Sequence, residues 1–325
     1  MNRPTLSICI PTFNRANLLK LTLESIISQI TDNVEIVISD NSSTDNTQDV
    51  IEDFRGQYPN IRYYTHQENV GFDGNILRLI NYANGDYIFF CSDDDIVING
   101  TIKSILDLIS SSSFSLISLN YYSFKGENFS IPYTIYKKNQ ADIVFNDRNR
   151  HIQFISYNLG FISSIVINRI ECIKIMKQEP GYVGSGFIQL YISLLVLLSD
   201  LPSAWIGSYC IAQRTDTGGW FPLKYFGYEL PRIFHEFEKR GYKKSVIRKI
   251  INESLLKLTL PSLISWRSNV GDKEVLETKN LIISVHSKNP VFWIFVFPFY
   301  LIPNRILRVL FRTLRQVKRL LKGVK

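Results

Sequence analysis

The stretch "YIFFCSDDDIVING", residues 87–100, decides how the first half of the chain is read. Its apolar start reads as a buried strand, and three carboxylates follow at once: Asp93, Asp94 and Asp95. Like charges side by side repel, and they lose hydration when crowded. Such a cluster at a strand end calls for a positive partner during at least part of the working cycle. Carboxylates suit Mg²⁺ or Mn²⁺, which takes one or two of them and fills the rest of its shell from phosphate and water. A helix cap at Asp95 or Asn99 is the alternative, but it accounts for one acid of the three.

Working outward, apolar runs alternate with helical spacings over the first 120 residues. "LSICIP" (6–11), "VEIVIS" (34–39), "IRYYTH" (61–66), "DYIFFCS" (86–92) and "FSLISLN" (114–120) read as strands. Between them, residues 17–30, 44–54, 74–83 and 99–111 carry helical spacing. Strands separated by helices of this length predict βαβ units and a mainly parallel sheet covered on both faces. In such sheets ligands sit at the carboxyl ends of the strands. "PTFNR" follows the first strand there, "DNSSTD" the second and "SDDD" the fourth. Beyond residue 120 the alternation weakens. Residues 186–201 read as a buried helix, 204–214 as a strand, 214–220 as a polar, glycine-rich loop, and 225–285 as helical.

The chain has 325 residues, of which 45% are hydrophobic and 20% charged, which excludes a largely disordered protein. Cys9, Cys91, Cys172 and Cys210 are scattered without CxxC spacing, so they are expected to be free thiols in a reducing compartment. The amino-terminal run is too short for a signal peptide. The four histidines show no metal spacing and are expected to be structural. From Pro303 onward there are eight Lys or Arg and no acid; without these eight, the 37 Lys and Arg fall to 29, equal to the 29 Asp and Glu. The whole excess of charge therefore lies in one tail.

Five elements in fixed order then carry a resemblance: P-T-F-N-R, D-x-S-S-T-D, N-x-G, A-x-G-D-Y-I and the acidic cluster. Over roughly residues 4–120 the chain resembles family 2 glycosyltransferases of the GT-A fold, which move a sugar from a nucleotide diphosphate to an acceptor. The resemblance implies an α/β fold with a nucleotide-binding sheet flanked by helices and a helical C-terminal region. It places Pro11, Thr12, Asn14, Arg15, Asn69 and Gly71 in the nucleotide pocket; a turn capped by Asn14 or Asn17 is the alternative. Asp40 would accept from a pyrimidine base, since a carboxylate can take the N3–H of uracil or thymine or the amino group of cytosine. The family's usual D-D-G-S is D-N-S-S here, retaining only the first acid. Asp94 would hold the metal directly, Asp93 would face the ribose or a metal-bound water, and Asp95 would support them. Arg78 could approach the donor or simply be an exposed helix arginine. The family's later R-x-H-x-G-S reads Arg214-Thr215-Asp216-Thr217-Gly218-Gly219, which makes Arg214 a diphosphate contact and Asp216 a further metal ligand, or else the segment a plain glycine loop.

Inverting members of the family carry an acidic base at the start of a helix in the second half. The matching segment, "GSGFIQLYISLLV", has none, and Gln189 is its nearest polar group. Either Asp142, Asp147 or Glu179 serves instead, or the departing phosphate takes the proton, an arrangement similar to an abequosyltransferase-like O-antigen subgroup.

The tail combines an apolar run, 291–302, with cations at Arg305, Arg308, Arg312, Arg315, Arg319 and Lys322 opposite a stripe at Leu307, Leu310, Leu314, Val317, Leu321 and Val324. Twelve apolar residues are too few to span a bilayer, and the pattern is that of an interfacial helix. Nucleic acid is disfavoured by the neutral body. The expected divisions are 1–222 for the transferase domain (1–120 donor half, 121–222 acceptor half), 223–288 for a helical region and 289–325 for a membrane-associating tail. The whole reads as a metal-dependent transferase at the cytoplasmic face of the inner membrane. Its donor is a UDP-, CDP- or dTDP-sugar and its acceptor a polyprenyl-diphosphate-linked oligosaccharide. A nucleotidyltransferase on a similar sheet would need a glycine-rich, basic phosphate loop, which "PTFNRAN" lacks; a non-catalytic membrane scaffold is the other alternative.

Overall fold

The structure is a computed structural model, and it describes residues 3–176, 183–216, 222–269 and 273–309. Two compact units divide at Gly219.

The first unit, Met1–Gly219, begins with the expected alternation: β1 (Leu6–Thr12), α1 (Ala16–Ile27), β2 (Val34–Asp40), α2 (Thr47–Gln57), β3 (Ile61–Thr65), α3 (Gly71–Tyr82), β4 (Tyr87–Phe90), β5 (Ile96–Val97), α4 (Thr101–Ser111) and β6 (Leu116–Phe124). It continues with β7 (Thr134–Ile135), β8 (Ile143–Phe145), α5 (Arg148–Ile155), β9 (Ile165–Asn168), α6 (Arg169–Met176), α7 (Ile188–Val196) and β10 (Ser203–Arg214). The sheet runs β3-β2-β1-β4-β9-β6-β10-β5, with β7 on β6 and β8 on β10. β1, β2, β3 and β4 pair in parallel, as do β6 and β10. Every residue of β1, β2, β4 and β6 is buried, which is why these runs carry no polar alternation. Leu6, Ile8 and Ile10 of β1 share a core with Leu19, Leu23 and Ile26 of α1 and with Ile102 and Ile105 of α4.

One strand departs from the expected pattern. β9 lies antiparallel between β4 and β6, with Phe90 and Ser118 both opposite Ile165. Its first residues therefore start beside the end of β4, where the acidic cluster begins.

Two motif glycines have backbone reasons. A Cβ on Gly85 would stand 2.6 Å from the Ser7 amide nitrogen, and Gly71 has φ of +75°, a conformation open to glycine at little cost. All four cysteines are buried free thiols.

The second unit, Trp220–Lys325, is helical over its described residues. Its longest pieces are Lys244–Ser254, which runs through a π turn into Leu260–Asn269, and Lys273–His286. The His286 ring meets the Gly227 carbonyl at 2.9 Å. In the apolar run that follows, Phe292, Val296 and Tyr300 are buried, while Trp293, Ile294, Phe295 and Leu301 are exposed. One row thus packs on the unit and the other faces outward. The stripe from Leu310 onward lies outside the described residues. Among the described residues, no helix is long and apolar enough to cross a membrane.

Candidate active site

Three loops at the carboxyl ends of β1, β2 and β3 are tied together by side-chain amides and carboxylates. After β1, Asn14 adopts a left-handed backbone with φ of 52°. Its Oδ1 accepts from the Thr44 amide at 2.7 Å, and its own amide donates to Ser43 Oγ at 2.8 Å. After β2, Ser42 is also left-handed, with φ of 70°. Two non-glycine residues held in that region mark a loop whose shape is imposed by its surroundings. Asn41 donates to Asn69 Oδ1 at 2.8 Å and accepts from the Val70 amide at 2.8 Å; Asn69 Oδ1 also accepts from the Gly71 amide. The N-x-G element is therefore a latch onto the β2 loop. Asp40 is 2% exposed. Its Oδ1 accepts from the Ser43 amide and its Oδ2 from the Tyr63 hydroxyl at 2.8 Å. Burial, reinforced by that bond to Asp40, raises the Tyr63 phenol and keeps it a donor. Pro11 and Thr12 sit buried at the end of β1, opposite Ser39 and Asp40.

The acid trio is split. Asp93 and Asp94 converge on one atom, Arg15 Nη1, at 3.1 and 2.9 Å. Asp93 also accepts from Thr12 Oγ1 at 2.9 Å, and Asp94 from Ser92 Oγ at 2.6 Å. Burial pushes the Asp93 carboxyl up to about 6 against the opposing pull of Arg15. The pair thus already shares one guanidinium as its counter-charge. Asp95 turns away into the interior: Oδ2 accepts from Ser163 Oγ at 2.6 Å, and Oδ1 from the Arg214 amide at 2.9 Å. Burial, with Asp94 nearby, raises its carboxyl well above the ordinary range. Asp95 is a post that joins the end of β4 to the residues before β9 and to the end of β10.

Other expected residues are not brought to the pair. Arg214 reaches Asp95 through its backbone; its guanidinium donates to the Gly126 carbonyl at 2.6 Å and lies over the Phe124 ring. Asp216 accepts from the Gly126 amide at 2.7 Å. Of the expected metal-ligand set, Asp94 meets Arg15, Asp95 is hydrogen-bonded inward to Ser163 and the Arg214 amide, and Asp216 is hydrogen-bonded to the Gly126 amide. No group of three or more His, Cys, Asp or Glu stands ready for a metal among the described residues. Arg78 lies in the second half of α3, roughly 10 Å along the axis from Gly71.

Ser163 and Asp73 were missed. Asp73, buried in the first turn of α3, accepts from Ser185 Oγ at 3.1 Å and from the amides of Gly186 and Ile188, at 3.0 and 3.4 Å. It places a carboxylate at the start of α7, where the sequence of that segment has no acid. No local signal marks it, because its partners lie more than a hundred residues away. Gln189 donates to the Gly160 carbonyl at 2.8 Å. Asp142 accepts from the Gly207 amide and Asp147 caps α5. Gly207 precedes Arg214 by seven strand residues, roughly 20 Å, so Asp142 is held far from the trio. Glu179, Gly218 and Gly219 lie outside the described residues.

The chain is 37% identical over 202 residues to abequosyltransferase RfbV of Salmonella typhimurium, covering 59% of this chain and 60% of that protein. It is 33% identical over 104 residues to the GalNAc(5)-diNAcBac-PP-undecaprenol beta-1,3-glucosyltransferase of Campylobacter jejuni, 32% of this chain and 34% of that one. It therefore spans about a third to three fifths of the length of these relatives. In fold, it matches S. aureus TarS 1–349 in complex with UDP-GlcNAc, with a TM-score of 0.60, 17% identity and coverage of 86% of this chain and 79% of that one. It also matches the mannosyltransferase PcManGT of Pyrobaculum calidifontis, in complex with GDP-Man and Mn²⁺, with a TM-score of 0.57, 14% identity and coverage of 95% and 88%. The GT-A architecture expected from the resemblance is the one observed. Glycosyl transferase family 2 matches residues 7–169, half of the chain, and the chain belongs to that family.

Proposed function

We propose that the chain transfers a sugar from a pyrimidine nucleotide-sugar (UDP-, CDP- or dTDP-linked) to a polyprenyl-diphosphate-linked glycan, in the assembly of a bacterial surface polysaccharide such as O-antigen. One observation carries the reading: Asp93 and Asp94 close on a single cationic nitrogen at the carboxyl end of β4. Two carboxylates aimed at one charge fit Mg²⁺ or Mn²⁺, which takes one or two protein carboxylates and phosphate oxygens. When bound, such an ion neutralises charge on the departing diphosphate. Arg15 holds the pair in register; a cation taking its place would free the guanidinium to pair with the diphosphate. Asp40, on the adjoining loop, orders that loop through Ser43 and has lone pairs left for the base. The similarity to RfbV supports a dideoxyhexosyl donor, and the name of the Campylobacter jejuni relative supports a lipid-linked acceptor. Thermal melts with UDP-, CDP-, dTDP- and GDP-sugars and Mn²⁺ test the donor, since binding stabilises by mass action. A shift confined to GDP-sugars overturns the pyrimidine assignment.

A second reading concerns the proton. Asp73 is the carboxylate at the start of α7, and three donors already occupy its oxygens. This favours a route in which the acceptor hydroxyl gives its proton to the leaving diphosphate oxygen as the new glycosidic bond forms on the same face. Anomeric coupling constants of the product decide it; an inverted centre excludes the route.

The outward row of Trp293, Ile294, Phe295 and Leu301, with Arg305 and Arg308 after it, supports seating on an anionic membrane through 291–325 at the cytoplasmic face of the inner membrane.

A further inference from the structure

The order of the strands sets where a donor's sugar lies. Along the carboxyl edge of the sheet, Asp40 ends β2, Thr12 ends β1, the Asp93–Asp94 pair follows β4, and β9 comes next. Neighbouring strands stand roughly 5 Å apart. A nucleotide-sugar with its base at Asp40 and its diphosphate at the acid pair lies across this edge from β2 to β4, and its sugar comes to β9. Because β9 is antiparallel to β4, its first residue, Ile165, stands there, opposite Phe90. The chain just ahead of it, 156–164, forms two short 3₁₀ turns and is firmly held. Ser163 bonds to Asp95 and to the Ser92 amide. The Gly160 carbonyl accepts from Gln189, and Asn158 Oδ1 accepts from the Tyr121 hydroxyl at 2.6 Å. Ser156 has φ of 59° and ψ of −144°, a conformation nearly closed to residues other than glycine, which persists only where the surroundings impose it. From this segment the Phe161 ring packs 4.5 Å, centroid to centroid, from the ring of buried Tyr121, which stacks on Tyr136. Phe161 itself is only half-buried.

We infer that Phe161 is the surface against which the transferred sugar rests, and that it favours a sugar poor in hydroxyls. A phenyl face takes up C–H groups and offers no hydrogen bond. Hydroxyls beside it are already engaged: Ser163 donates to Asp95, and Ser164 donates to the Phe161 carbonyl at 2.8 Å. A sugar hydroxyl turned to this wall therefore loses water without gaining a partner. A dideoxyhexose has fewer hydroxyls to lose and more C–H surface to bury. The backing is stiff, since the Tyr121 hydroxyl is fixed to Asn158 and the Tyr136 hydroxyl donates to the Ile155 carbonyl at 2.5 Å. The inference rests on the proposed pyrimidine nucleotide-sugar donor and deepens it, by assigning the contact with the sugar to a residue.

Calorimetric titration of the full chain and of Phe161→Ala, in the presence of Mn²⁺, tests this. For each of UDP, CDP and dTDP the ligands are the bare diphosphate, its dideoxyhexose and its hexose. The bare diphosphate should bind both proteins alike, which shows that the variant is folded and its nucleotide site intact. The ratio of the dideoxyhexose Kd to the diphosphate Kd should rise roughly three- to tenfold in Phe161→Ala, and the parent's preference for dideoxyhexose over hexose should shrink. Phe161→Tyr, which keeps the ring, should hold the parental ratio for the dideoxyhexose. An unchanged ratio in Phe161→Ala overturns the inference and leaves the donor reading standing. So does a parent that binds the hexose as tightly as the dideoxyhexose. Loss of the bare diphosphate in Phe161→Ala shows that the ring serves the fold, and overturns the inference as well. A parent that binds none of the three diphosphates overturns the donor reading and the inference with it.

Discussion

Arg15 is the residue on which the site's resting state turns. Its guanidinium is the shared counter-charge of two nearly buried carboxylates. Arg15→Gln leaves both acids without it, and should lower stability by about 1–3 kcal/mol. Because a divalent cation would then meet no competitor, Mn²⁺ should raise the melting temperature of this variant more than that of the parent; an equal or smaller rise separates Arg15 from the metal position. Asp94→Ala should fold, and should lose roughly a hundredfold or more of transferase activity. Full retention of activity with a product still formed excludes Asp94 from the chemistry, and a scaffold protein would show no activity to lose. The acids, the motif glycines and the loop order were legible in the sequence because each sits in a short, spaced motif. The Arg15 pairing was not, because it links residues 78 and 79 positions apart, and nothing local distinguishes a guanidinium that reaches back across the sheet from one that faces solvent.

At the scale of elements, the site depends on how tightly neighbouring strands approach. Gly85→Ala would set a methyl 2.6 Å from the Ser7 amide and 2.7 Å from its hydroxyl, forcing β4 from β1 at about 1–3 kcal/mol; chemical denaturation of the variant measures it. Ser163→Ala removes the hydroxyl that donates to Asp95 and accepts from the Ser92 amide. It should cost about 1–3 kcal/mol and reduce activity without touching the donor. A variant with parental stability would remove Ser163 from the support of the trio. The βαβ half of the sheet was readable because its runs are long and separated by helices of matching period. β9 was not: three apolar residues and an asparagine carry no period that separates a strand from a piece of buried helix, and its place between β4 and β6 is set by contacts formed after the chain has passed both. Asp73 escaped notice for the same reason, since its role exists only when α3 and α7 meet.

For the whole molecule, the buried histidines tie stability to pH. Burial pushes His151 down to about 3 between Ser118 and Ser203, and His286 down to about 4 in the second unit. In the unfolded chain both titrate near ~6.5. Below that value the unfolded chain binds protons that the folded chain refuses. The stability these groups allow is therefore complete above ~6.5, and falls as pH drops toward their folded values. Asp93 and Asp95, whose carboxyls burial raises, act in the opposite sense over the same range, so the histidine contribution is read as a difference: between about pH 6.5 and 5 the urea midpoint of His151→Gln should fall less, or rise more, than that of the parent; identical slopes deny that His151 is buried neutral. The central claim, that Asp93 and Asp94 together hold a divalent cation against a donor's diphosphate, is tested most directly by electron paramagnetic resonance of Mn²⁺ titrated with UDP, CDP and dTDP into the parent and the Asp94→Ala protein. One tightly bound Mn²⁺ per chain in the presence of a pyrimidine diphosphate, lost in the folded variant, is the predicted result; Mn²⁺ bound equally by both proteins, or by neither, contradicts it.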